Sequence, residues 1–408
     1  QSRGLGDVYK RQLMISEINQ TPKALRIHIG VFGNTNAGKS TFINNVSGQD
    51  VALTSHVAGT TTDPVFKPME LQPVGPVVFI DTAGLDDTSE LGKARIQKSL
   101  EQLEQCDAAV LVVSSVSGID ETLRKCVDKI KGQKLPLIVV ENMIDGISSG
   151  RDYSEFCDIF VRSDLNDRLQ AEKLQRAIIT VLKDLTEDPV LTADLVKPSD
   201  TVLLIAPQDI QAPKGRLILP QVQVIRDLLD NGCMVLTVTT ENLKNALDCL
   251  KTAPALVVTD SQVFGRVNEI LPQEIPLTSF SLLMAKIKGD IDGFIRGAYA
   301  IDKLKNGDKA LILESCAHHA MDDDIARIKI PAMLRKYTGK NLIIDNVSGQ
   351  KVNINLSDYK LAIHCGGCMI NRRAMIAKQK MFEDAGVPMT NFGICIAYMN
   401  GMLDRVCY

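Results

Sequence analysis

From Leu25 to Val31 the text LRIHIGV alternates apolar and polar positions and predicts a buried strand, with His28 a strand residue on a packed face. Apolar runs follow at Val77–Ile80, Ala108–Val113 and Leu137–Val140, with helix-period text between several of them, as in Leu91–Gln105 and Glu121–Lys131. Strands alternating with helices predict an α/β fold with a mostly parallel, doubly wound sheet, closing after the helical text Asn166–Lys183. Polar, Pro-punctuated text from Pro189 to Asp200 reads as a connector. A second β/α series has strands expected at Thr201–Ala206, Met234–Thr239 and Ala255–Thr259, and helices at Val222–Asn231, Glu241–Thr252 and Gln262–Ile270. A third runs from Pro276 to the C-terminus. The expected organisation is one domain over residues 13–185 followed by two smaller β/α domains over 186–275 and 276–408, with no internal repeat.

Composition narrows the function. Apolar residues at 45% and charged residues at 23% of 408 exclude wholesale disorder and leave room for two or three cores. A net charge of −3 provides no basic field, and 4% aromatics without Trp gives little for base stacking, so neither nucleic acid nor a membrane surface is an expected partner. No stretch nears the roughly 18 consecutive apolar residues of a membrane span, and a cytoplasmic protein is expected. Gln1 to Gln12 read as translated vector sequence and are set aside.

The first strand runs into Gly33-Asn34-Thr35-Asn36-Ala37-Gly38-Lys39-Ser40, a G-x-x-x-x-G-K-S loop that opens a helix. Backbone N–H groups of Gly33, Asn34, Asn36, Ala37 and Gly38 can cradle phosphates, with Lys39 on the β/γ oxygens, Ser40 on Mg²⁺ and Thr41 beside it. Asp81-Thr82-Ala83-Gly84 at the end of the second apolar run adds a carboxylate near the metal and a glycine N–H able to sense a γ-phosphate. Between them, Gly59–Asp63 has the place of a switch, where Thr61 would reach the metal. Asn142-Met143-Ile144-Asp145 follows the fourth run. A carboxylate at Asp145 can accept two hydrogen bonds from a guanine edge, which selects GTP over ATP. These pieces resemble the translation-factor-like GTPases that include tRNA-modification and ribosome-assembly enzymes. That resemblance implies a K⁺ ion held by Asn36 in place of an arginine finger. The chain departs from the group's Asn-Lys-x-Asp pattern at Met143, and Val161-Arg162-Ser163 stands where a Ser-Ala-Lys element is expected.

Seven of the ten cysteines sit singly in apolar or helical text and read as free thiols. The others do not. Cys316-Ala317-His318-His319 follows a strand expected at Ala310–Leu313, and His364-Cys365-Gly366-Gly367-Cys368 lies between a strand at Leu361–Ile363 and a helix from Asn371. Three readings fit the spacing: Zn²⁺ on Cys316, His318, Cys365 and Cys368; an iron–sulfur cluster on the three cysteines with a fourth position filled by His318 or His364 or left exchangeable; or a redox or buried C-x-x-C pair. A radical S-adenosylmethionine motif is absent.

A GTPase domain followed by Cys-x-His and then His-Cys-x-x-Cys resembles the FeFe-hydrogenase maturation GTPases, the HydF family. Arg327-Ile328-Lys329-Ile330-Pro331, Met369-Ile370-Asn371-Arg372-Arg373 and Gly386-Val387-Pro388-Met389-Thr390-Asn391 extend the likeness. The resemblance implies GTPase, dimerisation and cluster-binding domains, and a 4Fe–4S cluster on Cys316, Cys365 and Cys368. It also implies a scaffold or carrier role for the diiron subcluster, with apo FeFe-hydrogenase, the radical S-adenosylmethionine maturases and a second copy of the chain as partners. Slow, K⁺-stimulated hydrolysis of GTP is expected, since Leu85 follows Gly84 where a catalytic Gln could stand. The alternative is a tRNA- or ribosome-associated GTPase with a zinc-stabilised C-terminal module.

Overall fold

The computed structural model describes residues 26–47, 65–86, 90–183, 190–207, 217–315, 325–349, 354–367 and 370–408. The chain divides at Pro189 into two compact units.

In the first unit, strands β1 (Ile27–Phe32), β2 (Val65–Leu71), β3 (Gly75–Asp81), β4 (Ala108–Ser114), β5 (Leu137–Asn142) and β6 (Ile159–Ser163) form one sheet in the order β2-β3-β1-β4-β5-β6. All pairings are parallel except β2 with β3. Both faces are covered, which is why β4 and β5 read as unbroken apolar runs rather than alternations. Val110, Val112, Ile138 and Val140 enter the core that also holds Phe42 and Ile178, while Leu111, Val113, Leu137 and Val139 enter the opposite one with Leu123 and Ile130. His28 is a packed strand residue as expected, its Nδ1 2.8 Å from the Arg26 carbonyl. The helix Glu121–Gly132 begins where Asp120 caps it, accepting from Leu123 N at 2.8 Å. Helical text expected from Asn166 becomes regular only at Ala171, because Asp164 and Asp167 turn the chain first through hydrogen bonds from Asn166 N and Leu169 N.

The second unit holds two parallel sheets. Strands β7 (Thr201–Ile205), β8 (Met234–Val238), β9 (Leu256–Thr259) and β10 (Leu277–Ser279) lie in the order β10-β9-β7-β8. Strands β11 (Lys309–Glu314), β12 (Ile343–Ser348), β13 (Leu361–His364) and β14 (Met389–Asn391) lie in the order β12-β11-β13-β14. The two topologies are the same, and so are the registers. Val202 faces Leu256 as Ala310 faces Leu361, and Thr259 faces Ser279 as His364 faces Asn391. This corrects the expectation of no internal repeat. Pro276-Leu-Thr-Ser-Phe-Ser-Leu-Leu-Met-Ala-Lys-Ile-Lys-Gly289 matches Pro388-Met-Thr-Asn-Phe-Gly-Ile-Cys-Ile-Ala-Tyr-Met-Asn-Gly401 at both prolines and glycines, Thr278/Thr390, Phe280/Phe392 and Ala285/Ala397. Ser279 and Asn391 each cap the helix that follows, Phe280–Lys288 and Phe392–Met399. Because β10 belongs to the first of these sheets, that sheet runs past residue 275, where the domain boundary was expected.

The copies are interlocked. Leu203, Ile205, Val257 and Leu277 share one core with Leu311, Leu313, Ala362 and Met389, whereas the outer faces have separate cores. The helix Ile291–Tyr299, which follows the first copy, packs on β14 of the second, with Gly297 against the Met389 carbonyl where any Cβ would collide. In return Val406, which follows the second copy, bridges Leu277 of β10 in parallel, and Cys407 N donates to the Leu277 carbonyl at 2.9 Å. Each copy thus covers the edge strand of the other.

Candidate functional site

The phosphate loop is built where β1 ends. Gly38 has φ +102°, and a Cβ there would stand 2.6 Å from Asn142 Nδ2, so only glycine lets the loop lie against β5. Gly84 likewise lies so close to Thr35 that a Cβ would overlap it. Lys39, 9% exposed, folds back and donates to the carbonyls of Gly33 at 3.1 Å and Asn34 at 2.8 Å. Burial lowers its pKa, and the nearby Asp81 and Asp86 carboxylates work the other way. Ser40 Oγ donates to Asp81 Oδ2 at 2.7 Å, so the two groups expected at Mg²⁺ are together, with Lys67 Nζ 3.7 Å from the same oxygen. Thr82 Oγ1 ties the following turn to the Val31 carbonyl at 2.7 Å.

Asn36 is exposed with φ +59°, in the left-handed region. Ala37 is buried and Thr41 half-buried at the helix start. Asn142 Nδ2 donates to the Ala37 carbonyl at 3.1 Å while its Oδ1 accepts from Leu165 N at 3.3 Å, so the end of β5 is tied to the phosphate loop. Asp145 stands exposed at φ +51° in the turn closed by Ile144 and Ile147. The structure therefore brings Gly33, Asn34, Ala37, Gly38, Lys39, Ser40, Asp81, Gly84 and Asn142 into one neighbourhood. Thr61 lies outside the described residues.

Three carboxylates were not anticipated. Asp86 accepts from Thr35 N at 2.7 Å and Thr35 Oγ1 at 2.6 Å; burial alone would raise its pKa, and these bonds hold it below the usual carboxylate range. Asp120 accepts from Asn34 Nδ2 at 2.6 Å. Glu141, fully buried at the end of β5, accepts from Ser149 N at 2.6 Å and Arg162 Nε at 3.0 Å. It too is held low, its hydrogen bonds from Ser149, Arg162 and Ser148 outweighing burial. Asp86, two residues beyond Gly84, was the one a sequence signal could have found.

Of the expected metal ligands, Cys316, His318 and Cys368 lie outside the described residues; His364 and Cys365 lie at the C-terminal end of β13. His364 is fully buried, with Nδ1 2.6 Å from the Cys365 carbonyl and Nε2 3.0 Å from Ser315 Oγ. A carbonyl only accepts, so Nδ1 carries the proton and Nε2 accepts from the serine hydroxyl. Cys365 Sγ accepts from Ser315 N at 3.3 Å. Lys378 Nζ is 3.5 Å from Ser315 Oγ; burial lowers its pKa, with Cys365 opposing. Lys288, at the end of the first copy's last helix, is buried and donates to the carbonyls of Gly367 at 2.7 Å and Ile370 at 3.2 Å. A backbone N–H on the Cys365 sulfur and the Lys378 ammonium near it are surroundings that suit an anionic metal–thiolate group. Among the described residues no set of three potential ligands converges.

Residues 28–143 match the family model described as a 50S ribosome-binding GTPase. With the loop geometry above, this defines a P-loop GTPase carrying two further β/α sheets. Residues 191–289 match the hydrogen maturase F dimerization domain and residues 292–408 the hydrogen maturase F tetramerization domain. These two models meet where one copy of the repeat gives way to the next, and together they span more than half of the chain. The chain belongs to the hydrogen maturase F, or HydF, family.

Over the GTPase part it is similar to the tRNA modification GTPase MnmE of Dechloromonas aromatica, 31% identical over 150 residues, 35% of this chain and 33% of that protein. MnmE of Legionella pneumophila strain Corby is 38% identical over 118 residues, 28% and 26% of the two chains. GTPase Era of Halothermothrix orenii is 35% identical over 121 residues, 29% and 41%. The chain thus spans well under half the length of these relatives. Among solved structures, Aquifex aeolicus Era bound to GDP.AlF4⁻ aligns at 20% identity and a TM-score of 0.32, covering 52% of this chain and 93% of that one.

Proposed function

We propose that the chain is a GTP-hydrolysing scaffold in FeFe-hydrogenase maturation, carrying a 4Fe–4S cluster and passing a diiron precursor to apo-hydrogenase. The observation that carries this reading is the joining of a phosphate loop, complete with its Ser40–Asp81 pair, to a HydF C-terminal region whose Cys365 sulfur accepts from Ser315 N with the Lys378 ammonium nearby. Lys39 would bind the β/γ oxygens, Ser40, Asp81 and Thr61 would hold Mg²⁺, and Asp145 would read guanine. Asn36 would hold K⁺. Cys316, Cys365 and Cys368 would hold the cluster. His364, whose ring nitrogens meet Ser315 Oγ and the Cys365 carbonyl, would orient the Cys365 backbone, and His318 would offer an imidazole to a fourth position. When bound, the cluster supplies a site to which the precursor attaches. Its assembly with radical S-adenosylmethionine maturases and as an oligomer of this chain belongs to the same reading, the oligomer supported by the dimerization and tetramerization models.

Anaerobic purification followed by iron, sulfide and zinc analysis tests the proposal. Iron and sulfide near four each per chain are expected, together with activation of apo-hydrogenase in the presence of the other maturases. Zinc without sulfide would replace this reading with the tRNA- or ribosome-associated one.

A further inference from the structure

We propose that Glu141 and Arg162 are positioning residues for the base loop, fixing Asp145 and with it the preference for guanine. The inference rests on the reading that Asp145 contacts the base.

The argument begins with the period of a strand. Successive residues of β5 point to opposite faces, so Asn142 follows Ile138 and Val140 toward the phosphate loop while Glu141 follows Leu137 and Val139 to the other side. The loop leaving β5 is therefore gripped from both faces of the sheet. On Glu141's side the carboxylate takes Ser149 N at 2.6 Å, Ser148 Oγ at 3.2 Å and Arg162 Nε at 3.0 Å. Arg162 is its direct neighbour on β6, and its Nη2 donates to the Arg151 carbonyl at 2.5 Å. The guanidinium also lies over the Phe160 ring, 4.8 Å from the centroid. Together these bonds hold residues 148–151, the far leg of the loop.

The near leg is held by Met143 N to the Ser163 carbonyl at 3.0 Å and Ile144 N to Ser115 Oγ at 3.2 Å. Asp145 and Gly146, both at positive φ, sit between the two legs. Met143 brings no ammonium to this loop, and the Glu141–Arg162 ion pair lies beneath it. A fully buried carboxylate is stable only with all its acceptors filled, and here the donors that fill them belong to the loop or clamp it. In Glu141→Gln an amide NH₂ must face either Ser149 N–H or the Arg162 guanidinium, so one clamp is lost.

Equilibrium binding of GTP and ITP to the full chain tests this, because hypoxanthine lacks only the 2-amino group that Asp145 would accept. Wild type is expected to prefer GTP about tenfold, the value of one charged hydrogen bond. In Glu141→Gln, GTP, with two bonds to Asp145 to lose, should weaken several times more than ITP, with one, bringing the ratio toward one. Arg162→Gln, at a side chain 40% exposed, should give the same convergence and carries the test if Glu141→Gln does not fold. Equal weakening of both nucleotides, or an unchanged ratio in the folded variants, overturns the positioning role while leaving Asp145 in place. A wild type that does not distinguish GTP from ITP overturns the Asp145 reading and this inference with it.

Discussion

Lys39→Met should leave the empty protein standing and remove its response to nucleotide. The ammonium donates to the Gly33 and Asn34 carbonyls, but neither depends on it: Leu85 N also reaches Gly33 O at 3.3 Å and Ala37 N reaches Asn34 O at 3.2 Å. Hydrogen bonds from a charged donor contribute about 1.5–3 kcal/mol each. Desolvating the ammonium opposes them by several kcal/mol, and the same burial lowers the pKa of Lys39. A side chain of similar length and no charge should therefore change apo stability by less than about 1 kcal/mol. Nucleotide alters the sum. Mg·GTP at about 100 times Kd adds about 2.7 kcal/mol to the wild type. For a unit of this size that is roughly 5–10 °C in Tm. The variant, with nothing to meet the β/γ oxygens, should shift by no more than about 1 °C. A lysine whose folded pKa is lowered binds fewer protons folded than unfolded, so wild-type stability should rise as pH climbs from that lowered value toward about 10.4, and the variant should lack the rise. Thermal unfolding by circular dichroism, with and without Mg·GTP, measures all three quantities. An apo loss above about 2 kcal/mol, or a retained nucleotide shift, would refute the reasoning.

Met143→Lys should tighten GTP binding by about 1 kcal/mol, roughly fivefold in Kd, read by calorimetry; unchanged affinity would mean the base loop needs no ammonium. Hydrolysis should run faster in K⁺ than in Na⁺, and equal rates would remove the cation role from Asn36. Any one of Cys316→Ala, Cys365→Ala and Cys368→Ala should abolish the brown chromophore, whereas His364→Gln should keep it with an altered EPR spectrum; loss of iron in His364→Gln would count against its placement beside the ligands. Lys288→Met should slacken the backbone on either side of Cys368, so that iron is lost to a chelator several times faster than from wild type, with Lys288→Arg intermediate.

The apolar runs at Val77–Ile80, Ala108–Val113 and Leu137–Val140 became the centres of β3, β4 and β5, since buried parallel strands are apolar on both faces. Strand β2 was not legible: it is an edge strand with Lys67, Pro68 and Glu70 in it, shaped by pairing with β3 and not by burial. The phosphate loop could be read residue by residue because its chemistry is local in sequence. Glu141 could not, because its partners at Ser149 and Arg162 come together only through the turn and the β5–β6 register. The internal repeat escaped for another reason. Its strands are three to six residues long, and the repeated text is confined to the last strand–helix pair of each copy.

The interlocked copies behave as a dimer closed within one polypeptide. Cutting the chain near residue 290 would strip each half of the wall that buries its inner face and of the cap on its outermost strand. Neither half should then survive alone in solution, although the family models divide them there. The loop bearing Cys365 is fastened to the opposite copy by Lys288, so opening it means prying at a seam whose strength comes from the entire shared core. In the proposed carrier role, the described residues that follow β13 would take their support from a second sheet that has no cysteine pair of its own.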